Sequence, residues 1–228
     1  RGHVRLVGLT AACNVTGDLL PWREAIRLAH AHDALCLVDG AQIGGYLPGD
    51  LADLGVDLFT FAGLKGLPAP WGVGGLYVAP HVVMRTPAAP CEVPVDGGTM
   101  PCAPMPGFCD VGSVDLAALA GLAAGMDWLD EGDQADLLST ARQRIERVTQ
   151  AIEIHPTACL VGARDPARRL PTVAFVVDGR PSADVATHFR HRGMLVASGL
   201  QCAPLAHKTL GTAPDGVTRI SAGPFVDD

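Results

Sequence analysis

The sequence predicts an α/β fold in which helices pack on a largely parallel sheet. Two short apolar runs, Leu35 to Val38 and Leu58 to Phe61, each stop at a polar or glycine-containing turn, as buried strands do. A helical stretch precedes the first run, so strand and helix alternate along the chain. Hydrophobic residues make up 48% of the chain and aromatic residues only 5%. The core must therefore consist mainly of Ala, Val and Leu, which suits helices against a parallel sheet.

The first half of the chain alternates short strands with short helices. Pro21 stands at the entrance of the first helix, a position that proline tolerates. Residues 79–108 are rich in proline and glycine and show no periodicity, which predicts a long irregular excursion over the surface. The predicted elements of this half are strands over Val4 to Leu9, Leu35 to Val38, Leu58 to Phe61 and Gly72 to Val78, and helices over Trp22 to His32 and Pro48 to Leu54.

The second half begins with two consecutive helices, over Leu116 to Leu129 and Gln134 to Ile154. The boundary between two domains is predicted between these helices, with a large domain over residues 1–130 and a small C-terminal domain over residues 131–228. The small domain should be α+β, because strand, helix, strand and strand follow one another. These elements are predicted over Leu170 to Val177, Ser182 to Arg192, Met194 to Ala197 and Val217 to Ser221.

Charge and composition exclude several classes of protein. The formal net charge of -7 gives no basic surface for nucleic acid or for an anionic membrane. No apolar run is long enough to span a bilayer and no signal-peptide pattern opens the sequence, so we expect a cytoplasmic protein. The seven cysteines include no CxxC pair, which predicts neither a metal site nor a disulfide scaffold. Most of them should be small buried side chains.

An acid and a lysine follow two neighbouring predicted strands. Asp39 ends the first apolar run, and Lys65 follows the second in a glycine-rich turn. Ligands of open α/β sheets bind beyond the carboxyl ends of the strands, so both side chains should face one crevice. A lysine among apolar neighbours favours its neutral amine, which forms a Schiff base with an aldehyde, and an acid keeps a pyridine nitrogen protonated. The pair therefore indicates a pyridoxal 5'-phosphate (PLP) site.

A plainer interpretation of this pair is a turn cap for Asp39 and a solvated loop position for Lys65. Lysine usage argues against it, because Lys65 is one of only two lysines, the other being Lys208.

Five segments occur in the order in which the class V aminotransferase family carries them. The likeness is greatest to its cysteine desulfurase and selenocysteine lyase branch and covers nearly the whole chain. The segments are Asn14-Val-Thr-Gly17, Val38-Asp-Gly-Ala-Gln42, Gly63-Leu-Lys65, Gly97-Gly-Thr99 and Gly199-Leu-Gln-Cys-Ala-Pro-Leu-Ala-His207. The resemblance implies the fold of type I PLP-dependent transferases, with part of the large mixed-sheet domain and a small α+β C-terminal domain. It also implies a fragment, lacking an upstream phosphate-binding turn and a last helix.

The resemblance assigns cofactor-binding roles to several residues. Lys65 would bind PLP covalently and later move protons, and Asp39 would pair with the ring nitrogen. Gln42 and Asn14 would orient the ring hydroxyl. Thr99 lies in a region that approaches the partner subunit's active site in the family, and the Ser113 hydroxyl would reach the neighbouring phosphate. As isolated residues, Asn14 would cap a turn and Ser113 a helix.

The resemblance also implies the reaction. Cys202 would accept sulfur from L-cysteine, leaving a protein persulfide and L-alanine, and Arg219 would hold the carboxylate of the substrate. A small amino acid, cysteine or selenocysteine, would be the substrate, the protein would form a homodimer, and a sulfur-acceptor protein would be a further partner.

The sequence departs from the family at positions that contact the phosphate. Ala62 and Leu64 stand where relatives carry a hydroxyl residue and a histidine, and Ala197 and Gln201 replace an arginine and a histidine near the cysteine. Two alternatives therefore stay open. One is another class V activity, such as transamination, epimerisation or a different elimination. The other is a degenerate or truncated homologue that performs no chemistry.

Overall fold

A computed structural model describes residues 3–47, 49–84 and 114–226, with the backbone of two short strands at 93–95 and 98–100. The strands are β1 (Leu6–Thr10), β2 (Leu35–Asp39), β3 (Leu58–Ala62), β4 (Gly74–Val78), β5 (Val93–Val95), β6 (Gly98–Met100), β7 (Ala158–Val161), β8 (Thr172–Val177), β9 (Ala197–Gly199) and β10 (Val217–Ser221). The helices are α1 (Trp22–His30), α2 (Leu116–Glu131), α3 (Gln134–Ile154), α4 (Ser182–Arg190) and α5 (Pro204–Leu210). None of the helices among the described residues combines the length and the apolar character that crossing a bilayer requires.

The first sheet brings three parallel strands to one common edge. Its order is β1-β2-β3-β4, with β1, β2 and β3 parallel and β4 antiparallel to β3. Thr10 is in register with Asp39, and Asp39 with Thr60, so β1 and β2 end side by side and β3 runs two residues further. This mixed sheet agrees with the predicted α/β class.

The two faces of the first sheet differ in burial. Helix α1 packs on one face through Trp22 and Ile26, against Cys36 and Val38 of β2. On the other face, Leu6 is 49% exposed and Leu76 is 42% exposed. The described residues therefore leave apolar surface of this second face open to solvent.

The second sheet is antiparallel throughout, in the order β7-β8-β10-β9. Ala141 and Ile145 of α3 and Val185 of α4 pack on Val173 and Phe175 of β8, which closes a separate core. Helices on an antiparallel sheet form the α+β arrangement that the sequence predicted. The exact limits of the two domains, 1–130 and 131–228, stay a prediction.

The loop after β1 joins the two sheets through its backbone. Leu19 N donates to Arg168 O at 2.8 Å, and Leu170 N donates to Gly17 O at 2.9 Å. The side chain of Asp18 adds a hydrogen bond from Ala163 N at 2.8 Å. A segment that follows a strand of the first sheet is thus fixed to the connection between β7 and β8 of the second sheet.

Two predicted elements are wrong. The helix predicted over residues 48–54 is not formed in its described part, where residues 49–54 make turns, because Gly55 leaves the helical region at φ +68° after one Leu54 N to Asp50 O bond. The strand predicted over residues 194–197 begins only at Ala197, since pairing with β10 starts there. Four short elements, β5, β6, β7 and α5, were not predicted.

The hairpin of β5 and β6 lies inside the region predicted to be irregular, where Val93 to Val95 pair with Gly98 to Met100.

Candidate active site

The edge where β1, β2 and β3 end carries three of the predicted site residues. Asp39 is the last residue of β2, Asn14 lies in the loop after β1, and Lys65 follows β3 by a short turn. Ala11 N donates to Asp39 O at 2.9 Å and Gly40 N donates to Thr60 O at 2.8 Å, so the strand ends remain bonded where the loops begin. The crevice at this edge is where α/β sheets bind ligands.

One of the two carboxylate oxygens of Asp39 accepts a hydrogen bond from the turn that follows β2. Its Oδ1 accepts from Ala41 N at 3.0 Å, and among the described residues Oδ2 accepts no hydrogen bond. Gln42 lies half-buried in the turn that follows. Gly40 has no room for a side chain, because a Cβ there would lie 1.9 Å from Cζ of Phe59. The turn therefore packs directly against the ring of Phe59 in the neighbouring strand β3.

The turn after β2 and the Lys65 loop touch through two glycines. A Cβ on Gly45 would lie 2.4 Å from the carbonyl carbon of Gly66, and a Cβ on Gly66 would lie 2.3 Å from Gly44 O. Gly45 also has φ +82°, a conformation that glycine adopts without strain. Backbone contact of this kind fixes the position of the segment that carries Lys65 relative to Asp39.

Lys65 itself is exposed, as is its neighbour Leu64. The apolar surroundings that the sequence suggested for this lysine are therefore not supplied by the described residues. The reason is positional, because the loop projects beyond the end of β3 and its hydrophobic neighbour Leu67 turns inward instead.

Asn14 connects this edge with the second sheet. Its Nδ2 donates to Gln201 O at 2.7 Å, and its own backbone oxygen accepts from Nη1 of Arg219. Arg219 belongs to β10, and Gln201 precedes Cys202 in the loop between β9 and α5. The predicted substrate-binding arginine and the cysteine loop are thus brought to the residue that follows β1.

Arg219 has a free donor inside the protein. Its Nε is buried and has no hydrogen-bond partner among the described residues. Burial lowers the pKa of this guanidinium below its ordinary value, while the nearby Cys13 opposes the shift. A buried N–H without a partner is energetically unfavourable, so this nitrogen marks Arg219 as a candidate for binding an acceptor group.

Cys202 is exposed and lies in an unusual backbone conformation. Gln201 has φ +41° and Cys202 has φ +59°, and Ala203 N closes the turn by donating to Leu200 O at 2.8 Å. Among the four described cysteines only Cys36 is buried, so the expectation that most cysteines fill the core does not hold for this part of the chain. Cys202 is therefore accessible to a reaction partner.

Two predicted residues cannot be placed in this site. Ser113 lies outside the described residues, and Thr99 is placed only as a backbone position of β6.

The sequence did not predict the role of Gln201. Its backbone oxygen accepts from Asn14 and its side chain donates to Val217 O, and both bonds hold the cysteine loop in place. Its partner Asn14 is 187 positions away, and no local pattern indicates such a contact.

Comparison with known proteins assigns the family. The family described as Aminotransferase class-V matches residues 1–227. A probable cysteine desulfurase of Vibrio cholerae is 30% identical over 227 residues, which is 97% of this chain and 54% of the relative. The Escherichia coli cysteine desulfurase CsdA (S-sulfonic acid) superposes with a TM-score of 0.82 at 25% identity, covering 98% of this chain and 55% of that chain.

A second solved structure, the cystine C-S lyase C-DES with its reaction product cysteine persulfide, has a TM-score of 0.76 at 24% identity. It covers 98% of this chain and 57% of that one. The chain spans about half the length of the curated relatives it matches. The match of the family along residues 1–227, nearly the whole chain, shows that the chain belongs to the class-V aminotransferase family.

Proposed function

We propose that the protein is a PLP-dependent cysteine desulfurase-like enzyme, which releases L-alanine from L-cysteine and keeps the sulfur as a persulfide on Cys202. One observation carries the proposal. Asp39 ends β2 and Lys65 follows the neighbouring parallel strand β3 at the carboxyl edge of the first sheet, and Asn14 ties Arg219 and the Cys202 loop to that same edge. Relatives in the family named cysteine desulfurase support the choice of reaction.

The residues at this edge fit the ring end of PLP. Asp39 offers a carboxylate oxygen without a partner among the described residues, and Lys65 offers an accessible primary amine. Lys65 would hold the cofactor covalently, Asp39 would pair with the ring nitrogen, and Gln42 would approach the ring hydroxyl. Ala62 and Leu64 offer no hydrogen bond to the phosphate. When bound, PLP withdraws electrons from the substrate carbons that lose and gain protons.

Three side chains of the protein would have separate roles in the reaction. Arg219 would bind the substrate carboxylate with its guanidinium, whose Nε has no partner among the described residues, and this would fix the amino acid in place. The amine of Lys65 would carry protons to and from the substrate carbons. The thiolate of Cys202 would attack the substrate sulfur, so that an S–S bond forms as the C–S bond breaks. The bonding electrons stay with carbon, which takes up a proton, and the products are alanine and a persulfide.

The experiment that tests this proposal follows both products. Protein incubated with PLP and L-cysteine should release alanine and gain one sulfur atom on Cys202, measured by amino acid analysis and peptide mass spectrometry. Cys202→Ser should abolish the persulfide and reduce alanine at least tenfold. Cys159→Ser is the matched control, because Cys159 is also exposed and free, and it should change neither. Undiminished alanine from Cys202→Ser would exclude the desulfurase assignment and leave another elimination or transamination.

A second candidate is a homologue without chemistry, and one observation favours it. Lys65 is exposed, and the two neighbouring positions that contact phosphate in relatives carry the apolar Ala62 and Leu64. Absence of PLP binding to a folded protein would support this candidate against the enzyme.

The proposal includes partners and a location. The enzyme would act in the cytoplasm as a homodimer and pass sulfur to an acceptor protein, which the exposed position of Cys202 would allow. The free thiols of Cys13, Cys36, Cys159 and Cys202 suit a reducing compartment. Light scattering of the purified protein would test the dimer.

A further inference from the structure

The cysteine loop is held in a backbone conformation that its residues do not prefer. Gln201 and Cys202 have φ +41° and +59°, and neither is glycine. L-residues with side chains visit this left-handed region at a cost, and two in succession need outside restraint to stay there. The restraint is visible in two hydrogen bonds, from Asn14 Nδ2 to Gln201 O at 2.7 Å and from Gln201 Nε2 to Val217 O at 3.3 Å.

The first of these bonds comes from a residue that the resemblance assigned to the cofactor. Asn14 is the only asparagine of the chain, and its side-chain amide donates to the loop. Its backbone oxygen accepts from Arg219 at the same time. One residue therefore fixes the Cys202 loop with its side chain and Arg219 with its main chain.

We propose that Asn14 is a positioning residue for Cys202, which sets the place of the sulfur-accepting thiol relative to the carboxylate-binding Arg219. The inference rests on the proposed function for its catalytic meaning. The structural part of the inference, that Asn14 holds the Cys202 loop, does not rest on it, because the hydrogen bond lies within the protein and needs no bound ligand. Removing the side chain should free the loop without disturbing Arg219, since the oxygen that Arg219 uses belongs to the main chain.

Hydrogen exchange of the chain without cofactor tests the restraint. The reporter is the amide of Ala203, which closes the loop by donating to Leu200 O. In Asn14→Ala its exchange should accelerate about fivefold, the factor that one net hydrogen bond supplies. Asn14→Asp keeps the size but removes the donor, and it should act in the same direction.

Gln134→Ala is the matched control for this experiment. Gln134 Nε2 donates to Gly45 O at 3.2 Å, so this variant also removes a side-chain amide bond to a distant backbone oxygen. It should leave exchange at Ala203 unchanged. Unchanged exchange in both Asn14 variants would overturn the proposal. So would uniform acceleration across β8 and β10, or failure of both variants to fold, since each would indicate a general structural role.

Whether Asn14 positions Cys202 for sulfur transfer is tested separately, in the protein loaded with PLP and given L-cysteine. Asn14→Ala should lower the ratio of Cys202 persulfide to alanine about fivefold, because the thiol is then less often in place. An unchanged ratio would contradict the positioning role in sulfur transfer. If the unsubstituted protein forms no persulfide, the proposed desulfurase function fails, while the exchange result still decides whether Asn14 holds the loop.

Discussion

Asp57 is a buried carboxylate shared by three hydrogen bonds at the edge opposite the candidate site. Its Oδ2 accepts from Cys36 N at 2.7 Å and lies 2.8 Å from Nε2 of His30, and its Oδ1 lies 2.8 Å from Nε2 of His81. Burial alone would raise the pKa of Asp57, but the bonds from His30, Cys36 and His81 outweigh it and hold the pKa below its ordinary value. The ionised carboxylate therefore stabilises the fold where β2, β3 and α1 meet.

We expect Asp57→Asn to lower the free energy of unfolding at pH 7 by about 1–3 kcal/mol, because an amide cannot accept on both sides. Asp53→Asn, at an exposed position four residues earlier, should change it by less than about 0.5 kcal/mol. Urea unfolding measures both. Equal effects of the two variants would show that the buried network contributes nothing.

The same carboxylate predicts a pH dependence. A lowered folded pKa means that the contribution of Asp57 is present above the unfolded value of 3.8 and is lost as the pH falls through the folded value. The stability difference between the unsubstituted protein and Asp57→Asn should therefore be full at pH 7 and shrink below about pH 4. A difference that stayed constant from pH 7 to pH 3 would contradict this assignment.

At the scale of elements, the two loops of the candidate site depend on a glycine contact. Gly45→Ala should destabilise the protein by clearly more than Gly55→Ala, although both glycines have positive φ. A Cβ on Gly45 meets the backbone of Gly66, whereas a Cβ on Gly55 meets nothing within 4 Å. Gly55→Ala should thus cost only the conformational strain of about 1–2 kcal/mol. Equal urea midpoints for the two variants would show that the loops do not need their close approach.

Elements with strong local signals could be predicted, and weakly patterned ones could not. The sequence predicts α3 because Asp133 caps its start, accepting from Ala135 N and Asp136 N, and because its buried positions recur every three or four residues as far as Ile152. Strand β7 has only four residues at a sheet edge, and residues 49–54, which form turns, have a composition typical of a helix. Tertiary pairing decides such segments, and it leaves no mark in a single sequence.

The candidate site also contains features that the sequence predicted and features that it did not. Asp39 and Lys65 could be assigned to one edge because each follows a strand and parallel strands end together. The bond between Asn14 and Gln201 joins two sheets across most of the chain and could not be predicted. Nor could the exposure of Lys65, which depends on what packs beyond the end of β3.

At the scale of the whole molecule, the open face of the first sheet has a consequence in solution. Parallel strands are normally covered on both faces, yet Leu6 and Leu76 remain substantially exposed. We expect the chain alone to bind the dye ANS. Leu6→Thr together with Leu76→Thr should reduce that binding at little cost in stability, whereas Val7→Thr, on the face packed against α1, should destabilise the protein. Unaltered ANS binding in the double variant would place the apolar surface elsewhere.

The measurement that tests the account most directly is covalent labelling of lysine. The protein is incubated with PLP, reduced with borohydride, and digested for mass spectrometry. Lys65 and Lys208 are the only lysines and both are exposed, so accessibility alone would label them alike. The account predicts stable pyridoxyl on Lys65, in large excess over Lys208, and a loss of that preference in Asp39→Ala. Equal labelling of the two lysines, or none, would contradict a PLP site at the edge where β1, β2 and β3 end.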